Sequence, residues 1–231
     1  AVNGSNPELL AARQNGIPCI DRATLLGEIM YKYPYSIAVA GTHGKTTTTS
    51  MISMIMLEEN LDPTIHIGGE LNAIGGTTRI GESSYFVTEA CEYTESFLKF
   101  HPYMAVILNI EYDHVDYFKD FEHVKNSFLN FARLVPDNGI LLVSGDDPAA
   151  IEIMEQVSCG KVTFGLNNDR CEWSAADISF DSLGCASYTL IHNNKPVMEI
   201  KLKVPGLHNV SNSIAAIAAG SIMGCSIESA S

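Results

Sequence analysis

The chain has 231 residues, 46% of them apolar, with 14 Lys+Arg against 27 Asp+Glu and a net charge of −13. That length and apolar content exclude a disordered chain and allow a core of ordinary size, in one large domain or a domain plus a piece. The acidic balance, with no Lys/Arg-rich run, argues against binding a nucleic-acid backbone or an anionic membrane surface.

Apolar runs such as Met51–Leu57 and Ile214–Ala219 fall well short of the roughly 20 residues of a membrane span. The opening AVNGSNPELL lacks the basic-then-apolar pattern of a signal peptide. A start at Ala1 rather than Met reads as an excised piece of something longer. Cys19, Cys91, Cys159, Cys171, Cys185 and Cys225 form no CxxC pair and no zinc spacing. They are expected to be reduced, mostly buried thiols of a cytoplasmic protein.

In chain order, Pro7–Asn15 reads as a helix, with Pro7 in its first turn and Gly16 as its stop. IPCI (17–20) reads as a short strand. Asp21 caps a helix through Leu25, Leu26, Ile29 and Met30, which Pro34 ends. SIAVA (36–40) is a small apolar run suited to a buried parallel strand. GTHGKTTTT (41–49) and a helical stretch from Met51 follow. SYFVTEA (84–90) and MAVILNI (104–110) read as further strands, with a short helix near Glu95–Phe100 between them. A long helix is expected over 115–135, with Phe118, Phe121, Val124, Phe128 and Phe131 on its core face. PDNG (136–139) is a turn and ILLVSGDD (140–147) a strand. From Gly160 onward short β runs predict an antiparallel edge or small β subregion. Residues 208–225 form a small-residue helix. The expected fold class is α/β, a mostly parallel sheet flanked by helices.

Strand, glycine-rich loop and helix in succession are the context of a phosphate-binding loop. Gly41 and Gly44 let backbone N–H groups converge on an anion. Lys45 supplies a charge for the β/γ-phosphates, Thr46 a hydroxyl for Mg²⁺, and the new helix its positive end. The strict G-x-x-x-x-G-K-[ST] pattern fails, because Val39 stands at its first glycine. Glu89, at the end of a strand, lies where ligands bind in such sheets and can hold Mg²⁺. Glu92 and Glu95 read equally well as a solvated helix start. Asp113, His114 and Asp116 follow the next strand, and His114 can ligate a second metal. Asn212 can read an adenine edge, although a cap by Ser211 or Asn209 explains LHNVSN as well.

Taken in order, AVAGTHGKTTTT, VTEACEYTESF, LNIEYDHVDYF and PGLHNVSN resemble the motifs of the Mur ligases of peptidoglycan synthesis, over nearly the whole chain. The resemblance implies residues 1–33 as the tail of an N-terminal UDP-sugar-binding domain and 34–231 as a central P-loop-type ATP-binding domain, with the C-terminal amino-acid domain absent. It implies ATP and Mg²⁺ as cofactors. Gly41, Thr42, His43, Gly44, Lys45, Thr46 and Thr47 match the ATP loop, and Asn212 the adenine contact. Glu89 and His114 match the metal-site carboxylate and histidine, so Lys45, Glu89 and His114 become the catalytic candidates. His43, in GTHGK, is typical of the branch that joins L-alanine to the carboxylate of UDP-N-acetylmuramate through an acyl phosphate. This piece alone is expected not to ligate.

Two departures bear on the site. Several relatives carry a carbamylated lysine on the helix after the DH motif; here Phe128 and Leu129 lie near that place and Lys125 comes a turn early. Cys91 replaces a frequent Asp, giving EACEY. Rival readings are a murein tripeptide recycling ligase on the same sugar, a folate polyglutamylating ligase, and a nucleotide-binding partner subunit without ligase chemistry. Glu89 and His114 speak against the last of these.

Overall fold

A computed structural model describes residues 3–166 and 170–228; the outermost residues of the two expected domains, 1–2 and 229–231, lie outside it. The described strands form one sheet in the order β10-β9-β8-β7-β6-β5-β1-β4-β2-β3. They are β1 (Tyr35–Ala40), β2 (Thr64–Leu71), β3 (Gly76–Arg79), β4 (Tyr85–Glu89), β5 (Met104–Ile107), β6 (Ile140–Ser144), β7 (Gly160–Gly165), β8 (Trp173–Phe180), β9 (Cys185–His192) and β10 (Lys195–Pro205). From β2 to β8 every neighbouring pair is parallel. The pairs β2–β3, β8–β9 and β9–β10 are antiparallel. The expected antiparallel subregion is therefore present, but it continues the main sheet and starts at β8. β7 still runs parallel to β6, because the helix Pro148–Glu155 between them makes a crossover.

The helices are α1 (Pro7–Gln14), α2 (Arg22–Met30), α3 (Lys45–Glu58), α4 (Phe121–Ala132), α5 (Pro148–Glu155) and α6 (Leu207–Ile222). Their starts are set by side chains that satisfy the first free N–H groups. Asn6, Asp21, Asp120 and Asp147 each accept such a bond. Alternation along β1 divides the core. Ile37 and Val39 face α3 and the small-residue α6, while Ala38 and Ala40 face a phenylalanine-rich cluster that takes in α2, α4 and α5. No described helix is long and apolar enough to cross a membrane.

Several expectations are corrected. IPCI forms no strand; all four residues are exposed, lie in irregular chain and pair with none of the described strands. The helix expected over 115–135 begins only at Phe121 and ends at Ala132. Asp120 caps it by accepting from the His123 N–H at 2.8 Å. Phe118 is buried ahead of it, edge-on to Tyr117 and His123, and Phe121 is exposed. The helix near Glu95–Phe100 is a 3₁₀ segment, Tyr93–Lys99. β2, β3 and α5 had no counterpart in the sequence reading. Of the cysteines only Cys159, Cys171 and Cys225 are buried; Cys19 and Cys91 are exposed and Cys185 is intermediate. All six are free thiols, and burial pushes Cys225 up to about 11.

Phe97 lies flat on Phe131 (centroids 4.6 Å, 3°) and edge-on to Phe128 (5.4 Å, 90°), all three fully buried. Phe128→Ala is expected to destabilise the chain by about 3–5 kcal/mol in urea unfolding, through lost transfer energy and the cavity left behind. A loss below about 1 kcal/mol would mean that this face collapses to fill the gap.

Candidate functional site

β1 lies between β4 and β5 in parallel register, with Val39 opposite Glu89 and Ala40 opposite Ile107. The loops leaving the carboxyl ends of these three strands therefore rise side by side, at the place where open α/β sheets bind ligands. The β1–α3 loop is Gly41 to Gly44. Gly41 has φ 145° and Gly44 φ 89°, backbone that side chains resist. Gly44 caps α3 with no side-chain bond, leaving the first N–H groups of the helix open to an anion.

The neighbouring β5 loop fixes this conformation. Asn109 Oδ1 accepts from the His43 N–H (2.8 Å), and Asn109 Nδ2 donates to the His43 carbonyl (3.0 Å). The Thr42 N–H donates to the Asn109 carbonyl (3.1 Å). Thr42 Oγ1 accepts from the Glu111 N–H (2.9 Å). The His43 ring is exposed, 3.7 Å from Glu111. Asn212, on α6, reaches the same loop: a Cβ on Gly44 would lie 2.6 Å from its Oδ1. Its Nδ2 donates to Asn209 Oδ1 (3.0 Å). Neither Asn209 nor Ser211 caps α6; Gly206 stands at the cap, and Asn209 Nδ2 donates back to the Pro205 carbonyl at 2.8 Å.

Lys45 Nζ donates to the carbonyls of Gly41 and Thr42, and to both oxygens of Glu92 at 3.1 and 2.9 Å. Glu92 is 2% exposed. The solvated helix start expected there is corrected. Thr94 and Glu95 take left-handed backbone (φ 51° and 54°), which breaks the helix and turns the chain so that Glu92 enters the site. Glu92 Oε1 also lies 3.5 Å from His114 Nε2. His114 has φ 51°, is packed by the Tyr93 ring at 4.7 Å, and its N–H donates to Asp113 at 2.6 Å. Asp113 and Asp116 are exposed. Asp116 accepts from the Tyr93 hydroxyl at 2.7 Å and holds that phenol above its ordinary range. Of that trio, His114 alone faces Glu92.

Glu89 Oε1 accepts from the Gly68 N–H at 2.7 Å. Cβ atoms on Gly68 and Gly69 would come within 2.9 Å of Glu89 Oε2 and 3.1 Å of Thr46 Cγ2. Two bare glycines of β2 thus leave room beside the carboxylate and the threonine. Among the described residues no three His, Cys, Asp or Glu side chains form a metal cage. The Glu89 carboxylate, beside two bare glycines of which one also adjoins Thr46, has the chemistry to hold a hard cation that takes its remaining ligands from phosphates and water. Thr47 lines the neighbouring groove between α3, α6 and β10.

Glu92 and Asn109 are the two site residues the sequence reading missed. The Glu89–Glu92 spacing in EACE was the available signal for the first.

Gly44→Ala should weaken anion binding at least about tenfold in calorimetry, since it strains the left-handed turn and displaces Asn212. Lys125 bonds Glu122 (3.0 Å) and Glu152 (3.1 Å), and these carboxylates hold its ammonium above the usual lysine range. Carbamylation needs the neutral amine, so ¹³C-bicarbonate should give no carbamate signal in NMR at neutral pH; a signal lost in Lys125→Ala would refute this.

Residues 39–220 match the Mur ligase middle domain. The UDP-N-acetylmuramate–L-alanine ligase of Acetivibrio thermocellus is 63% identical over 99% of this chain and 49% of the relative. The UDP-N-acetylmuramate-alanine ligase MurC structure from Thermotoga maritima superposes with TM-score 0.86 at 27% identity, over 100% of this chain and 51% of that one. The UDP-N-acetylmuramate:L-alanyl-gamma-D-glutamyl-meso-diaminopimelate ligase (MPL) structure from Neisseria meningitides gives 0.87 at 27%, over 99% and 74%. The chain spans about half the length of the curated relatives it matches. With a middle-domain match across most of its residues and the loop, carboxylates and histidine gathered at one end of its sheet, the chain belongs to the Mur ligase family.

Proposed function

We propose that this chain is the ATP-binding middle part of a ligase that joins L-alanine to the carboxylate of UDP-N-acetylmuramate. The observation that carries the reading is the convergence of the Gly41–Thr47 loop, Glu89 and His114 at the carboxyl ends of adjacent parallel strands, in a chain 63% identical to an enzyme of that name. Residues 1–33 close an adjoining sugar-nucleotide domain. α1 buries no residue, whereas α2 acts as a joint that sinks Leu26 and Met30 into the central core. The remaining substrate-binding regions belong to the half of the relatives' length that this chain does not span.

In this reading the acceptor carboxylate attacks the γ-phosphorus of ATP, giving an acyl phosphate and ADP. The alanine amine then attacks the acyl carbon, and phosphate leaves with the electron pair of the broken C–O bond. The chain acts by positioning and by charge. Gly41–Gly44 and the start of α3 cradle the phosphates with N–H groups, and Lys45 meets the charge on the transferring group. Asn212, beside Gly44, stands where an adenine edge would be read. Thr46 and Glu89 would hold Mg²⁺, with His114 on the side of a second ion. The metal, when bound, neutralises phosphate charge and orients the γ-phosphoryl group.

Calorimetric titration of Mg·ATP is expected to show binding by this chain and none by Lys45→Ala; equal binding by both would sink the loop assignment. The chain alone is expected to release no ADP in response to acceptor and alanine. The structural likeness to the Neisseria enzyme favours one competing acceptor pair. A version extended to the relatives' full length should release phosphate with UDP-N-acetylmuramate and L-alanine; release only with a tripeptide in place of alanine would assign the recycling reaction instead.

A further inference from the structure

Lys45 does not wait free in its loop. Its ammonium is closed off by two backbone carbonyls and both oxygens of a carboxylate that is itself almost wholly buried. A second carboxylate, Glu89, stands on the adjacent strand end. An incoming polyphosphate therefore meets one ammonium already satisfied and two negative side chains. A phosphate oxygen can reach Lys45 only by replacing the Glu92 oxygens.

We propose that Glu92 is the counter-ion that Lys45 exchanges for phosphate, and that it makes anion capture by this loop depend on an accompanying divalent cation. The inference rests on the nucleotide reading given above. Glu92 acts through Lys45 and is a positioning residue. It holds the ammonium at the mouth of the loop and repels any polyphosphate whose charge is not already reduced. A metal-bound nucleotide brings its own positive charge and tolerates Glu92; a bare one does not. At an effective dielectric near 20, one unit charge a few ångströms away is worth roughly tenfold or more in binding. A merely structural role for the ion pair predicts something different: its loss would weaken binding with and without the cation alike.

The test is calorimetric titration of ADP into the 231-residue chain, with Mg²⁺ and with EDTA, for the unsubstituted chain, Glu92→Gln and Glu92→Asp. The unsubstituted chain and Glu92→Asp should bind ADP at least about tenfold more tightly with Mg²⁺. Glu92→Gln should shrink that ratio by about tenfold, through tighter metal-free binding. An unchanged ratio in Glu92→Gln, or an equal loss under both conditions, overturns the inference and leaves the nucleotide reading in place. No ADP binding by the unsubstituted chain overturns both. If circular dichroism shows Glu92→Gln unfolded, ¹⁵N-lysine NMR of the unsubstituted chain decides. The Lys45 ammonium signal should be protected from exchange in the free chain and shift when Mg·ADP is added; a stationary signal overturns the inference.

Discussion

Everything at the site depends on β1 being hydrogen-bonded in parallel on both edges, to β4 and to β5. Parallel pairing brings the carboxyl ends of neighbouring strands to one edge of the sheet, so three loops from distant parts of the chain leave together. The register is held by burial on both faces, since a slip by one residue would exchange the aliphatic side chains packed on α3 and α6 for the alanines packed on the phenylalanine cluster. Ala38 and Ala40 are small enough to let that cluster approach closely, and Ile37 and Val39 fill the wider space opposite. The flat stack of Phe97 on Phe131 belongs to the same face and anchors the 3₁₀ segment that follows directly on Glu92; between Glu92 and Phe97, two left-handed residues turn the chain.

For an acidic chain, the proposed anion site poses an electrostatic problem. A net charge of −13 does not attract nucleotides from a distance, and at physiological salt its field fades within about 8 Å. Attraction has to come from groups in contact with the ligand: the N–H groups of the loop, the first turn of α3 and one ammonium. Such groups act over a few ångströms and require fixed geometry, which explains the double clasp of Asn109 on His43 and the bond from the Glu111 N–H to Thr42.

How much of this could be read in the sequence depends on the range of the interaction concerned. The loop was legible because its signal is local: glycines, a lysine and a hydroxyl between an apolar strand and a helix. Glu89 was legible from its place at a strand end. Glu92 was not, because its partners come from 47 residues before and from the β5–α4 loop, and an acid near a helix start looks like a solvated one. The beginning of α4 was misplaced because Phe118 continues the helical spacing while lying in a loop. The strand expected at IPCI failed for the opposite reason: apolar residues alone do not make a strand without an edge to pair with. β2 was missed because its glycines, needed beside Glu89 and Thr46, erase the apolar pattern.

The contact between Asn212 and Gly44 joins residues from opposite ends of this sequence. A chain emerging from the ribosome presents the β1–α3 turn long before α6 exists. The turn can form early, but its wall is completed only when the last described helix docks on α3. That wall is therefore absent until α6 has been made, and a translation product halted before α6 would carry the loop motif without it.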